Sequence, residues 1–122
     1  MFVISGIKAE VLRRLRTRGE VTVEVVSCRN VRAAREAEEG EEIFITDEFF
    51  DDIGRGTLGI VAKIVQKDIG ESRVSANHYG DEMEITRARL RLRFSAMGEV
   101  ERVEKSEVPR AEIRRSEHLI IG

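Results

Sequence analysis

At 122 residues the chain suffices for one domain, and 41% hydrophobic content supplies a core without disulfide or metal staples. One cysteine, Cys28, rules out an internal disulfide, and no apolar run approaches the roughly 18 residues a membrane-spanning helix needs. Net charge is only −2 although 36% of residues are charged, so the chain is neither a polybasic tail nor a disordered acidic one. MFVISGIKAEVL lacks the form of a signal peptide, and the expectation is a cytoplasmic protein with no cofactor and no membrane partner.

The charges are unusual in kind, with 17 Arg to 4 Lys and 18 Glu to 5 Asp, beside 2 Asn and 1 Gln. Few thermolabile side chains and many chargeable ones suit the ion-pair networks of a thermophile. The charges are also segregated. Residues 1–35 carry 8 basic and 3 acidic groups, whereas residues 36–54 carry 9 acidic groups and no basic one. Such blocks create an electropositive face only if folding separates them in space.

MFVIS opens as a short strand. Ile7, Val11, Leu12 and Leu15 then recur at helical spacing, with Arg13, Arg14, Arg16 and Arg18 on the other faces. Ser5 is placed to cap this helix and Gly19 to end it. Val21, Val23 and Val25 alternate with polar residues as a half-buried strand. A second helix is predicted from a capping Asn30 to Glu39, with Val31, Ala34 and Ala37 as its stripe. Its early arginines and late glutamates oppose the helix dipole, so it must depend on packing.

EEIFIT reads as a strand with Ile43 and Ile45 on one face and Phe44 on the other. DEFFDDI suits one helical turn with Phe49, Phe50 and Ile53 covering the core. IVAKIVQK is a further strand and SANHYGDE a loop. In MEITRARLRLRFSAM, Ala88, Leu90, Leu92 and Phe94 alternate with Arg87, Arg89, Arg91 and Arg93, a strand with two sorted faces. GEVERVEKSEV is predicted to pair back on it across Gly98, Pro109 to open a short helix, and HLII to end as a strand. The order implies a single α+β domain, residues 1–122. Two helices lie near its N-terminus, and its mixed sheet is strongly curved or barrel-like.

Gly54-x-Gly56-x-x-Gly59 has the spacing of a dinucleotide loop, but the β-branched run after it cannot supply the helix N-terminus that such a loop requires. The arginine ladder is a stronger candidate. Alternate residues on a strand lie roughly 6.6–7 Å apart, near the phosphate repeat of a nucleic-acid strand. Arg87, Arg89, Arg91 and Arg93 would then track a backbone, with Arg55 and Lys63 assisting. The competing reading has Glu99, Glu101 and Glu104 neutralise the ladder across strands. Asn77, His78 and Tyr79 gather a titratable group and polar neighbours in one loop, a candidate ligand site. Asp47, Glu48, Asp51 and Asp52 read as acids on a solvated turn. Cys28, with no neighbouring histidine, reads as a small buried residue. No catalytic or metal-ligating set emerges.

With the preceding Asn30-Val31 helix, Gly40-Glu41-Glu42-Ile43-Phe44-Ile45-Thr46 leading to Gly56-Thr57-Leu58-Gly59-Ile60-Val61-Ala62 resembles a small archaeal family with no assigned function. More distantly it resembles PUA-like barrels, the ASCH group among them. That group's Gly-x-Lys-x-x-Glu-x-Arg signature is absent. The resemblance implies a protein that binds RNA or modified nucleosides, as many PUA-like proteins do, some of them as enzymes. With the Arg87–Arg93 ladder, the basic first helix and the strand order, the expectation is a non-enzymatic RNA- or nucleotide-binding module. The alternative is a protein-interaction or homo-oligomerising subunit whose charged blocks meet across an interface.

Overall fold

Alternation along residues 86–93 decides the architecture. Ala88, Leu90 and Leu92 are fully buried while Arg87, Arg89, Arg91 and Arg93 are exposed, so the stretch sorts its side chains onto two faces of a sheet. The computed structural model describes residues 1–75 and 82–116. In it this stretch belongs to a long strand, β5 (Glu82–Glu104), paired antiparallel with β4 (Leu58–Ser75). Along its other edge β5 takes two partners in succession. β2 (Glu20–Val25) pairs with residues 88–93, and β6 (Arg110–Ser116) with residues 97–104. β3 (Glu42–Ile45) pairs with β4, and β1 (Val3–Ile4) runs parallel to β3. The sheet order is β1-β3-β4-β5-β2, with β6 branching from β5.

Both expected helices form. α1 (Ala9–Arg18) buries Leu15 and ends at Gly19, whose φ of 81° is the left-handed stop that glycine accepts without strain. Its N-cap is Lys8, without a side-chain hydrogen bond, and Ser5 does not cap it. The Ser5 amide instead donates to Asn30 Oδ1 (3.1 Å), and Asn30 Nδ2 donates to the Ser5 carbonyl (2.8 Å). Asn30 is therefore a buried clamp on the β1–α1 turn. The helix α2 (Cys28–Glu36) is capped by Ser27, whose hydroxyl accepts from the Asn30 amide. The adverse charge order of α2 is answered from the sheet, where Lys67 Nζ donates to the carbonyls of Ala34, Arg35 and Ala37. A register shift between Ile64 and Gln66 turns Lys67 toward this helix end.

Two cores result. Leu15, Val23, Val25, Val31, Ala34, Ile43, Ile45, Ile64, Leu90 and Leu92 share the larger one with the helices. Val3, Phe44, Ile53, Val100 and Ala111 form a smaller one on the opposite face of β3. The two faces predicted for EEIFIT hold, and both are buried.

Several expectations change. The sheet is not closed into a barrel: its ladders run open from β1 to β2, and β1 meets β6 only at one bridge, Phe2 to Arg110. A two-residue β1 is too short to extend that bridge into a ladder. Residues 99–104 continue β5 through Gly98 rather than turning back on it. The segment after Pro109 is a strand, β6, because Ala111 and Ile113 alternate inward with Glu112 and Arg114 exposed, and the open edge of β5 takes it. Phe49 is 72% exposed and covers no core, while Ile53 does. Cys28 is exposed at the first turn of α2. HLII lies outside the described residues.

β3 and β6 are joined through side chains. Both guanidinium nitrogens of Arg115 donate to the Glu42 carboxylate, one at 3.0 Å. This hydrogen bond holds the Glu42 carboxyl below its usual 4.5, against a smaller opposing effect of burial. A depressed folded pKa contributes stability above the unfolded value, lost as pH falls through the folded one. Thermal melts should therefore show wild type more stable than Glu42→Gln above about pH 4.5, the two converging in stronger acid. At Gly59 a β-carbon would stand 2.5 Å from Phe44 Cζ, and closer still to the Ile45 carbonyl oxygen. Gly59→Ala is expected to destabilise by about 3 kcal/mol in urea unfolding, whereas Gly70→Ala, which meets open space, stays within about 0.5 kcal/mol.

Candidate functional site

The arginine ladder lies on one open face of the sheet, but it is not free. β2 runs beside β5 in a register that opposes Glu20 to Arg93, Thr22 to Arg91 and Glu24 to Arg89. Glu24 Oε1 is 3.3 Å from Arg87 Nη1, and Glu24 Oε2 is 3.8 Å from Arg89 Nη2. Glu20 Oε1 is 2.8 Å from Arg91 Nε, an ion pair off line for a straight hydrogen bond. The neutralising acids are thus those of β2, not Glu99, Glu101 and Glu104. Glu99 instead pairs with Arg114 at 2.6 Å. Among the described residues Arg93 has no acid partner.

Lys63 stands opposite Arg93 on β4 and joins the ladder's face. Arg55 does not. It sits exposed in the Gly54–Thr57 turn, where the Gly54 amide donates to Thr57 Oγ1 and the Gly56 amide to the Val100 carbonyl. Val100 is about seven residues, roughly 20 Å, along β5 from the ladder. The glycine loop is therefore a turn between the smaller core and β4. Asn77, His78 and Tyr79 lie outside the described residues. Among the described residues no group of three His, Cys, Asp or Glu is placed to hold a metal ion. No helix among them is long and apolar enough to cross a membrane, which says nothing of strands.

A concavity of about 1040 Å³ lies between the β1–α1 turn, the start of α2 and the β5–β6 turn. Its charges balance, Arg29, Arg32 and Lys105 against Glu24, Asp51 and Glu107, and most are engaged internally. Arg32 pairs with Glu107 at 3.3 Å, Arg29 stacks 3.8 Å over Phe50, and Lys105 Nζ donates to the Asp51 carbonyl. A groove so arranged has no charge left over for a polyanion.

A smaller groove of about 270 Å³ differs. It runs between α1 and the start of β4, with Leu12, Leu58, Ile60 and Met97 at its floor and Arg13 and Arg16 at its rim. Leu58 is 56% exposed, one of three large apolar side chains so exposed among the described residues, with Val26 and Phe49. Arg13, Arg14, Arg16 and Arg18 are all exposed, and none makes an ion pair among the described residues. Helical spacing puts Arg13 and Arg16 on the groove side, next to Leu12. Sequence periodicity found these arginines but gave no reason to single out Leu58, whose exposure depends on where β4 begins.

Fold and surface together describe a small α+β domain of two helices and a six-stranded open sheet. The chain belongs to an uncharacterised family, described as a protein of unknown function, DUF473, whose model matches residues 1–113. No curated protein matches it. Among solved structures it is similar in fold to the N-terminal domain of Mycobacterium avium complex Lon protease, with a TM-score of 0.53 at 16% identity. That likeness covers 95% of this chain and 54% of the other, so the chain spans about half the length of the structure it resembles.

The ladder's ion pairs join half-exposed side chains, with relative exposures of 33–65% in the pairs formed by Arg89 and Arg91. Solvent screening keeps such pairs weak. Arg89→Ala with Arg91→Ala is therefore expected to shift urea-unfolding stability by no more than about 1 kcal/mol.

Proposed function

We propose that this domain is a protein-interaction module that docks an acidic polypeptide segment carrying one bulky apolar side chain. The surface used is the α1–Leu58 groove. One observation carries the reading: Arg13 and Arg16 of α1 stand without ion-pair partners among the described residues, beside an exposed leucine and an apolar floor. The ladder arginines Arg87, Arg89 and Arg91 already have theirs. An apolar anchor seated in the groove is dehydrated, and the rim arginines then meet carboxylates at its edge, an arrangement that favours register and rapid encounter.

A nucleic-acid partner, expected from the arginine spacing, the basic first helix and the PUA-like resemblance, fits less well. The ladder is largely neutralised. The α1 groove offers aliphatic side chains where single-stranded RNA uses aromatic ones for stacking. The likeness to a domain of a protease agrees with a module that handles polypeptide, although it rests on fold.

The test is fluorescence anisotropy with a labelled synthetic peptide of glutamates flanking a single phenylalanine, alongside a single-stranded RNA oligonucleotide. The peptide should bind at low salt, weaken as salt rises, and lose at least about tenfold in affinity to Arg13→Glu with Arg16→Glu. Tighter binding of the RNA, or no peptide binding at low salt, contradicts the reading.

A further inference from the structure

The surface that asks for an acidic, apolar-anchored segment belongs to a chain that displays one. Asp47-Glu48-Phe49-Phe50-Asp51-Asp52 carries four exposed acids around Phe49, the most exposed large apolar side chain among the described residues at 72%. We propose that the occupant of the α1–Leu58 groove is this segment from a second copy of the chain, the two copies forming a two-fold dimer. The inference rests on the reading of that groove as a dock for acidic polypeptide.

The segment is held ready by its backbone. The Glu48 amide donates to Thr46 Oγ1 (3.2 Å), the Asp52 amide to the Phe49 carbonyl (2.9 Å), and Thr46 Oγ1 to the Leu58 carbonyl (3.0 Å). A ligand fixed before docking loses little conformational entropy on binding. The Phe49 ring lies over Gly6, where a β-carbon would stand 3.5 Å from Cδ1, and most of the side chain remains open to solvent.

Knob and groove are also neighbours on one copy. The Gly6 amide donates to the Glu48 carbonyl (2.8 Å) and the Ile7 amide to the Thr46 carbonyl (3.0 Å), tying the segment to the turn that enters α1. Asp47 itself lines the groove. A two-fold contact needs this contiguity, since each copy must give and receive through the same patch. An axis beside the β1–α1 turn sets Phe49 of each copy on the apolar floor of the other. Glu48, Asp51 and Asp52 then face Arg13 and Arg16. Arg13 and Arg16, like charges that repel in a single copy, become the attraction between two.

Sedimentation equilibrium of the full chain tests this by charge exchange. Wild type should dimerise at low salt, and its affinity should fall by about tenfold on raising salt to about 0.5 M. Arg13→Glu/Arg16→Glu and Asp51→Arg/Asp52→Arg should each be monomeric, with melting temperatures showing that both are folded. Mixed in equal amounts, the two variants should regain the dimer, because each contact then pairs opposite signs. Phe49→Ser should be monomeric, and a synthetic Thr46–Ile53 peptide should dissociate wild type. A monomeric wild type at the highest soluble concentration, a dimer that survives both charge reversals, or a mixture that stays monomeric overturns the inference. If wild type is monomeric while the glutamate–phenylalanine peptide still binds, only the second copy is disproved. If that peptide fails as well, the dock itself is disproved.

Discussion

The structure depends on one strand that has to serve three partners. β5 is paired with β4 along most of its length and with β2 and then β6 along its other edge, so its register fixes theirs. Side chains alternate across a strand, and a slip of one residue would carry Ala88, Leu90 and Leu92 into water and four arginines into the core. That penalty holds β2 where Glu20 and Glu24 oppose the ladder. The same β5–β4 register sets Gly59 and Gly98 face to face, where Phe44 packs closely enough to exclude a side chain at Gly59.

The ion pairs of the ladder follow from that register and change its meaning. An arginine every second residue looks like a phosphate track when the strand is considered alone. Beside β2 it becomes one half of a cross-strand charge pattern, with each glutamate held near one or two guanidinium groups. Among the described residues the α1 arginines have no such ion-pair partners. Arg13 and Arg16 share a groove with Leu58 and with Asp47 of the acidic turn, so the segregated charges of the sequence end as adjacent patches of opposite sign.

Where local pattern and tertiary demand agree, the sequence is legible. Gly19 ends α1 as its left-handed conformation requires, Val23 and Val25 face inward, and Ile43 and Phe44 part to opposite faces. Where the decision lies elsewhere in the chain, local reading fails. Arg110–Ser116 has helix-like composition after Pro109, yet the unpaired edge of β5 makes it a strand. Asn30 has a capping side chain, but Ser27 takes that place and Asn30 turns to Ser5, 25 residues away in sequence. The site follows the same rule. The arginines of α1 were visible from periodicity, whereas the exposure of Phe49 and Leu58 depends on how the 46–58 segment is tied down, which no short motif reports.

The proposed working surface is α1 with Leu58 rather than the arginine ladder. Amide chemical-shift mapping during titration with the glutamate–phenylalanine peptide addresses it residue by residue. Shifts are expected to be confined to Ala9–Arg18, Asp47–Asp52 and Leu58–Ile60, with Arg87–Arg93 unmoved. Shifts centred on Arg87–Arg93 and β2, with α1 silent, would contradict it.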